Sequence, residues 1–373
     1  MNKYYDNFVG QIPVIDTKKF LVIDGSSLLV TNYYATLPRD ILMEKDPVKK
    51  EEKFPKIMHT STGLYTNAIY GTLRTILKII KYQKPDYLAV VFDKSRDTFR
   101  RQIDSSYKAN RKPTDEPLKE QFIGIENILE ELGIVTLYDD TYEADDLAGS
   151  IIKKFEGPSI QMRFLTKDHD YLQLISEYTR GWMVQPTDDK LNELYDKYGD
   201  NEKVNEWISS ATGNTGSHKD LYSLPDKVYE FTDDIVMGEE GVHAWQIADL
   251  KGIKGDTADN IKGVKGVSAP AATLLLEYGT IEGLYEAIED CKSPKEEKEL
   301  VAFWKEHLGI TRSPFNQLKG AKDDALTSKK LATIVTTAPV PENINDYTYN
   351  INQSILLSIL EKYEFKSLMK EYC

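Results

Sequence analysis

Four apolar runs in the first half of the chain finish on acids. FLVID ends at Asp24, YLAVVFD ends at Asp93, and RFLTKDHD runs into Asp168 and Asp170. The remaining run, Ile134 to Tyr138, feeds YEADD with Glu143, Asp145 and Asp146. One aspartate after a strand is ordinarily a helix cap or a solvated turn, but four such coincidences ask for a shared purpose. Carboxylates packed on one edge repel and raise one another's pKa unless a cation neutralises them. Oxygen donors without His or Cys in the group select Mg²⁺, with Mn²⁺ as a substitute, over zinc. His169, between two of the aspartates, reads as an exposed spacer.

Two further groups could serve the same chemistry. KSRDTFRRQIDSSYKANRK, Lys94 to Lys112, carries seven Lys/Arg against Asp97 and Asp104, a local net of +5. With Phe99 and Tyr107 among them, Arg96, Arg100, Arg101, Lys108, Arg111 and Lys112 could bring phosphates and a stacked base to the acidic edge. A basic run is more often a solvated helix; direct attachment to Asp93 favours nucleic acid. Farther along, KGDTADNIKGVKGV sets Asp256 and Asp259 just before a tight turn at Gly263 to Val267. Glycines let a backbone approach a phosphate closely, and Lys262 and Lys265 add charge beside Gly263 and Gly266.

These residues need elements to hold them. Strands are expected at Phe20 to Ile23, Tyr87 to Phe92, Ile134 to Tyr138 and Met162 to Leu165, alternating with helices at Asn67 to Tyr82, Pro117 to Leu132 and Glu143 to Phe155. That alternation predicts an α/β fold with a mostly parallel sheet, whose strand carboxyl ends share one ligand-binding edge. Residues 1–185 are read as this core. Pro186 to Glu240, polar and short of apolar runs, is read as an acidic insertion. Residues 241–373 are read as mainly helical, with helices at Pro270 to Tyr278 and Gln353 to Tyr372, and Asp40 to Lys56 as a charged loop.

Over 373 residues, 60 Asp and Glu against 47 Lys and Arg give a net charge of −13, which at face value argues against nucleic acid. The distribution says otherwise. The insertion carries 14 acidic and 5 basic residues and the strand-end and turn carboxylates number nine, so the rest of the chain is net +5. Two cysteines, Cys291 and Cys373, give no disulfide framework or Cys-rich zinc site. No apolar run approaches a membrane span and no signal-peptide pattern opens the chain, so an intracellular protein is expected.

Taken with IDGSSLL, TGLYTNAIYG, VVFDKSRDTFR, YKANRKPT, LTKDHDYLQL, KDDALTSKKLATI and LEKYEFKSLMKEY, these motifs make the sequence resemble the structure-specific 5′-nuclease (flap endonuclease) family. The likeness runs from about Phe20 to Tyr372, and is strongest to the nuclease domain of bacterial DNA polymerase I and free-standing bacterial or phage 5′→3′ exonucleases. It implies a PIN-like core, an arch at about residues 94–120, and a helix-3-turn-helix element that grips duplex DNA and holds K⁺. It further implies a first divalent metal on Asp24, Asp93, Glu143 and Asp145, and a second on Asp146, Asp168, Asp170, Asp256 and Asp259. Tyr107 would stack on a base, and Lys108 and Arg111 would contact the scissile phosphate. The implied reaction is Mg²⁺-dependent hydrolysis at 5′ flaps, nicks or RNA primers during replication and repair.

The resemblance also suggests a monomer in the cytoplasm of a bacterial cell or phage-infected host, with no polymerase module following and with the insertion offered to replication proteins. Two rival readings stand beside it: a silent branched-DNA-binding module and a PIN-type ribonuclease. A strand-DxD phosphatase is weaker, because Gly25 and Ser26 follow Asp24.

Overall fold

The computed structural model describes residues 17–95, 97–199 and 224–373. Six strands form one sheet in the order β3-β2-β1-β4-β5-β6: β1 (Lys18–Asp24), β2 (Tyr87–Val91), β3 (Val135–Leu137), β4 (Ile160–Thr166), β5 (Thr179–Val184) and β6 (Val228–Phe231). The first five are parallel, and β6 runs antiparallel to β5. Central β1 pairs with β2 and β4, and from Lys19 to Asp24 it is wholly buried, as expected of a parallel strand covered on both faces. One face packs on helices Ala144–Phe155, Ile247–Lys254, Ala271–Tyr278 and Ile281–Glu289, with Phe20, Val22, Phe164 and Tyr171 in that core. The other face, with Leu21, Ile23, Val90 and Leu165, packs on helices Gly25–Thr36, Asn67–Tyr82, Glu116–Glu131 and Gln353–Lys362.

Helix Asn67–Tyr82 forms where the apolar spacing predicts it, burying Ile69, Leu73, Ile76, Leu77 and Ile79 on the sheet. Other expectations needed correction. Strands β5 and β6 were absent from the sequence reading, and β6 lies inside the proposed insertion. Its four residues, VYEF, are all buried, so this part of 186–240 is sheet edge; residues 200–223 lie outside the described residues. Asp40 to Lys56 folds into helices Arg39–Leu42 and Pro47–Glu51 and a 3₁₀ turn, Phe54–Lys56. The last expected helix is two, Gln353–Lys362 and Lys366–Tyr372, because Glu364 between them has φ 58°. Among the described residues no helix is long and apolar enough to cross a membrane.

Candidate metal centre and nucleic-acid interface

Parallel strands put their carboxyl ends on one edge, and the acids arrive there from separate segments. Asp24, 5% exposed, closes β1, accepting from Ser27 N–H at 2.9 Å and from Thr166 Oγ1, at the end of β4, at 2.7 Å. Asp93, two residues beyond β2, accepts from the Ala144 N–H at 3.0 Å. Glu143 precedes the Ala144–Phe155 helix, whose first turn carries Asp145 and Asp146. Asp168 and Asp170 follow β4 in a 3₁₀ turn, where Asp168 accepts from the Asp170 N–H at 2.9 Å. Asp256 and Asp259 come from the turn after helix Ile247–Lys254.

The electrostatics divide this set. Burial, then the neighbouring Asp93, push Asp24 up to about 7. Asp145 is raised well above the carboxylate range, by burial first; Arg100 opposes this while Asp146 and Glu143 add to it, and its Oδ1 is buried without a hydrogen-bond partner. Asp168 is raised by burial despite Lys251. Glu143 goes the other way. Burial would lift it, but Lys108, with Nζ 2.5 Å from Oε2, and Arg100 outweigh that and lower it. Burial would also lift Asp256, yet Lys251 Nζ at 2.7 Å lowers it; the same ammonium reaches Asp170. Arg111 Nη2 lies 2.6 Å from Asp259 Oδ1.

Protein cations therefore rest where the sequence reading places metals. Among the described residues no three His, Cys, Asp or Glu side chains close around a single point as a ready metal site. The donor set nonetheless suits a hard divalent cation. It is all oxygen, it contains Asp145 Oδ1, buried without a hydrogen bond, and burial pushes the pKa of Asp24 up to about 7.

Several assignments change. Arg100 is 1% exposed: Nη1 and Nη2 each lie 2.7 Å from Asp146, while Nε and Nη2 bond the Leu331 and Thr333 carbonyls at 3.0 and 2.9 Å. A guanidinium so enclosed cannot touch DNA. Asp146, fully buried, with oxygens also accepting from the Glu143 and Val335 N–H groups, is spent on this network and leaves the ligand set. Tyr107 is 2% exposed, its hydroxyl 3.3 Å from both Glu143 and Asp259, so it does not present a ring to a base as it stands. Gly263 is interior too. Its N–H donates to Ser328 Oγ at 3.1 Å, and a Cβ there would fall 2.3 Å from the Gly255 nitrogen.

Residues 104–111 do not stand off as an arch. After helix Phe99–Ile103 they lie on the 256–261 turn, with the Lys108 N–H bonded to the Asp259 carbonyl at 2.9 Å and Tyr107 packed with Ile261, Leu331 and Ala332. Opposite charge and this small apolar cluster draw the segment down. Lys108 pays with a left-handed φ of 53°. Arg101 is half-exposed, Lys112, Lys262, Lys265 and Gly266 are exposed, and Arg96 lies outside the described residues. Lys251 was missed by the sequence reading, for nothing in ADLKGIKGD distinguishes it from any other helix lysine. A cavity of about 750 Å³ opens from Asp168, Asp170, Asp256 and Asp259 toward Arg74 and Lys78.

Comparison with known proteins gives the family and the fold. The profile for the 5′-3′ exonuclease N-terminal resolvase-like domain matches residues 19–206, and that for the 5′-3′ exonuclease C-terminal SAM fold matches 242–354. The chain belongs to the 5′-3′ exonuclease family. DNA polymerase I of Caldicellulosiruptor bescii is 32% identical over 354 residues, covering 94% of this chain and 33% of that protein. DNA polymerase I of Bacillus subtilis is 27% identical, covering 95% and 32%. This family member thus spans about a third of the length of such relatives. The 5′-exonuclease of bacteriophage T5, solved with zinc ions bound, superposes with a TM-score of 0.53 at 16% identity, covering 93% of this chain and 98% of that one. A T5 flap endonuclease complex with DNA and metal ions gives 0.52 at the same identity and coverage. These likenesses show the nuclease fold: a mostly parallel sheet with a mainly helical C-terminal part.

Proposed function

We propose that this chain hydrolyses phosphodiester bonds near the 5′ ends of branched, nicked or RNA-primed DNA, leaving 5′-phosphates, in replication and repair. One observation carries the reading: eight carboxylates from separate segments meet at the sheet's carboxyl edge with Lys108 and Arg111 laid directly on them. Family membership and the T5 complex with DNA and metal ions support it.

Asp24, Asp93, Glu143 and Asp145 would hold one Mg²⁺, and Asp168, Asp170, Asp256 and Asp259 a second. Bound there, the cations would lower the pKa of a water and shield phosphoryl oxygens. Lys108 and Arg111, ion-paired to Glu143 and Asp259, would turn toward a phosphate if cations neutralised those partners. They would then offset the charge gathering on the phosphoryl oxygens. Lys262, Lys265 and Gly266 would hold the duplex from the exposed turn, where the family resemblance suggests K⁺.

Cleavage of an end-labelled 5′ flap in Mg²⁺ tests this. Asp145→Asn and Asp168→Asn are expected to abolish cleavage while Ca²⁺-supported flap binding persists. Wild-type turnover by both would overturn the assignment, and an EDTA-insensitive wild type would remove the metal.

A further inference from the structure

Tyr171 has a place in the centre that neither its neighbours in sequence nor the chemistry above accounts for. It follows Asp170 in the 3₁₀ turn after β4 and is 1% exposed. Its ring is ordinary core, 5.6 Å from Phe164 in the cluster that packs Ala144, Leu147 and Ala148 beneath the sheet edge. Its hydroxyl is not. That oxygen is buried with no hydrogen-bond partner, and the charges that bear on it are Asp24, Asp145, Asp93 and Asp168, from four separate segments. Asp145 Oδ1 is a second buried oxygen in the same group without a hydrogen bond.

A buried polar atom without a partner costs about 1–3 kcal/mol, and native proteins rarely leave one unless an oxygen or ion belongs beside it. Phe in place of Tyr would fill this core equally well and avoid that cost. We infer that Tyr171 is a positioning residue of the metal centre, its O–H reserved for a water carried in with the divalent cation assigned to Asp24, Asp93, Glu143 and Asp145. This rests on the metal-dependent reading above and adds to it a donor that fixes the orientation of that water. Partners beyond the direct ligands typically change metal affinity by about 10–100-fold.

The test uses Mn²⁺ alone, with no DNA: calorimetric titration of wild type, Tyr171→Phe and Tyr171→Leu, together with thermal unfolding in EDTA. Tyr171→Phe keeps the ring against Phe164 and deletes only the hydroxyl. Its metal-free melting temperature is expected to equal or exceed that of wild type, while Mn²⁺ affinity falls about tenfold or more. Tyr171→Leu is expected to lose metal-free stability as well, separating packing from hydrogen bonding. Mn²⁺ affinity in Tyr171→Phe within twofold of wild type would overturn the role of Tyr171 and leave the metal centre standing. Failure of the wild type to bind Mn²⁺ would overturn both.

Discussion

Lys108 has to serve two partners in turn. Its ammonium sits on Glu143 at 2.5 Å and near Asp259 at 3.5 Å, and although burial would lower its pKa, those carboxylates raise it well above the ordinary lysine range. It is therefore charged whenever a phosphate arrives. Removing it should cost more than tenfold in single-turnover cleavage of a 5′ flap, the scale of one charge-stabilising group. It should also tighten divalent binding, because a competing cation is gone; an unchanged rate in Lys108→Ala would exclude it from the reaction. Asp24, Asp93, Asp168 and Asp170 were legible in sequence because they close or closely follow strands of recognisable pattern. Arg100 was not legible, because a buried arginine is written with the same letter as a DNA-contacting one. Only the converging Asp146 carboxylate and the Leu331 and Thr333 carbonyls reveal its use.

Elements were legible in proportion to their periodicity. Asn67–Tyr82 declared itself through apolar residues at helical spacing, whereas β6 is four residues long and has Glu230 in the middle. That glutamate makes the strand possible in context. Arg163 Nε and Trp182 Nε1 donate to its Oε2 at 2.8 and 2.9 Å, and Arg180 Nη1 to Oε1 at 3.0 Å, stitching β4, β5 and β6 together. Glu230→Ala would strand Arg163, which is 3% exposed, so a loss of about 3–5 kcal/mol in urea unfolding is expected, and a loss below 1 would show the network to be dispensable. The 255–266 turn was half legible. Its glycines are needed for the chain's own packing at Gly255 and Gly263, while Lys262 and Lys265 face outward. If those two lysines each meet one phosphate, Lys262→Ala/Lys265→Ala should flatten the slope of log K for flap DNA against log salt by about 1.8, measured in Ca²⁺. An unaltered slope would place duplex binding elsewhere.

At the scale of the whole molecule, the acidic edge is a source of instability that cations should relieve, and pH exposes it. Asp24 moves from a model-compound value of 3.8 up to about 7 on folding, through burial and Asp93. Between about pH 4 and pH 7 the unfolded chain has released this proton while the folded protein retains it. The folded state then binds more protons, and stability falls as pH rises through that window, by on the order of 4 kcal/mol for such a group. Asp145 and Asp168 are raised by burial and act in the same direction. Glu143 and Asp256, lowered despite burial by Lys108 and Lys251 respectively, work oppositely: their stabilisation is lost as pH falls below the ordinary carboxylate range, so it is already complete by about pH 5. Metal-free protein should therefore unfold at lower urea at pH 7.5 than at pH 5.5, and Asp24→Asn should shrink the difference. Divalent cations bind the ionised carboxylates, so saturating Mg²⁺ should restore most of the loss and do so more strongly at pH 7.5. A metal-free urea midpoint that does not fall over this range would mean that the strand-end carboxylates are hydrated in solution, and that their burial is not what prepares them for a cation.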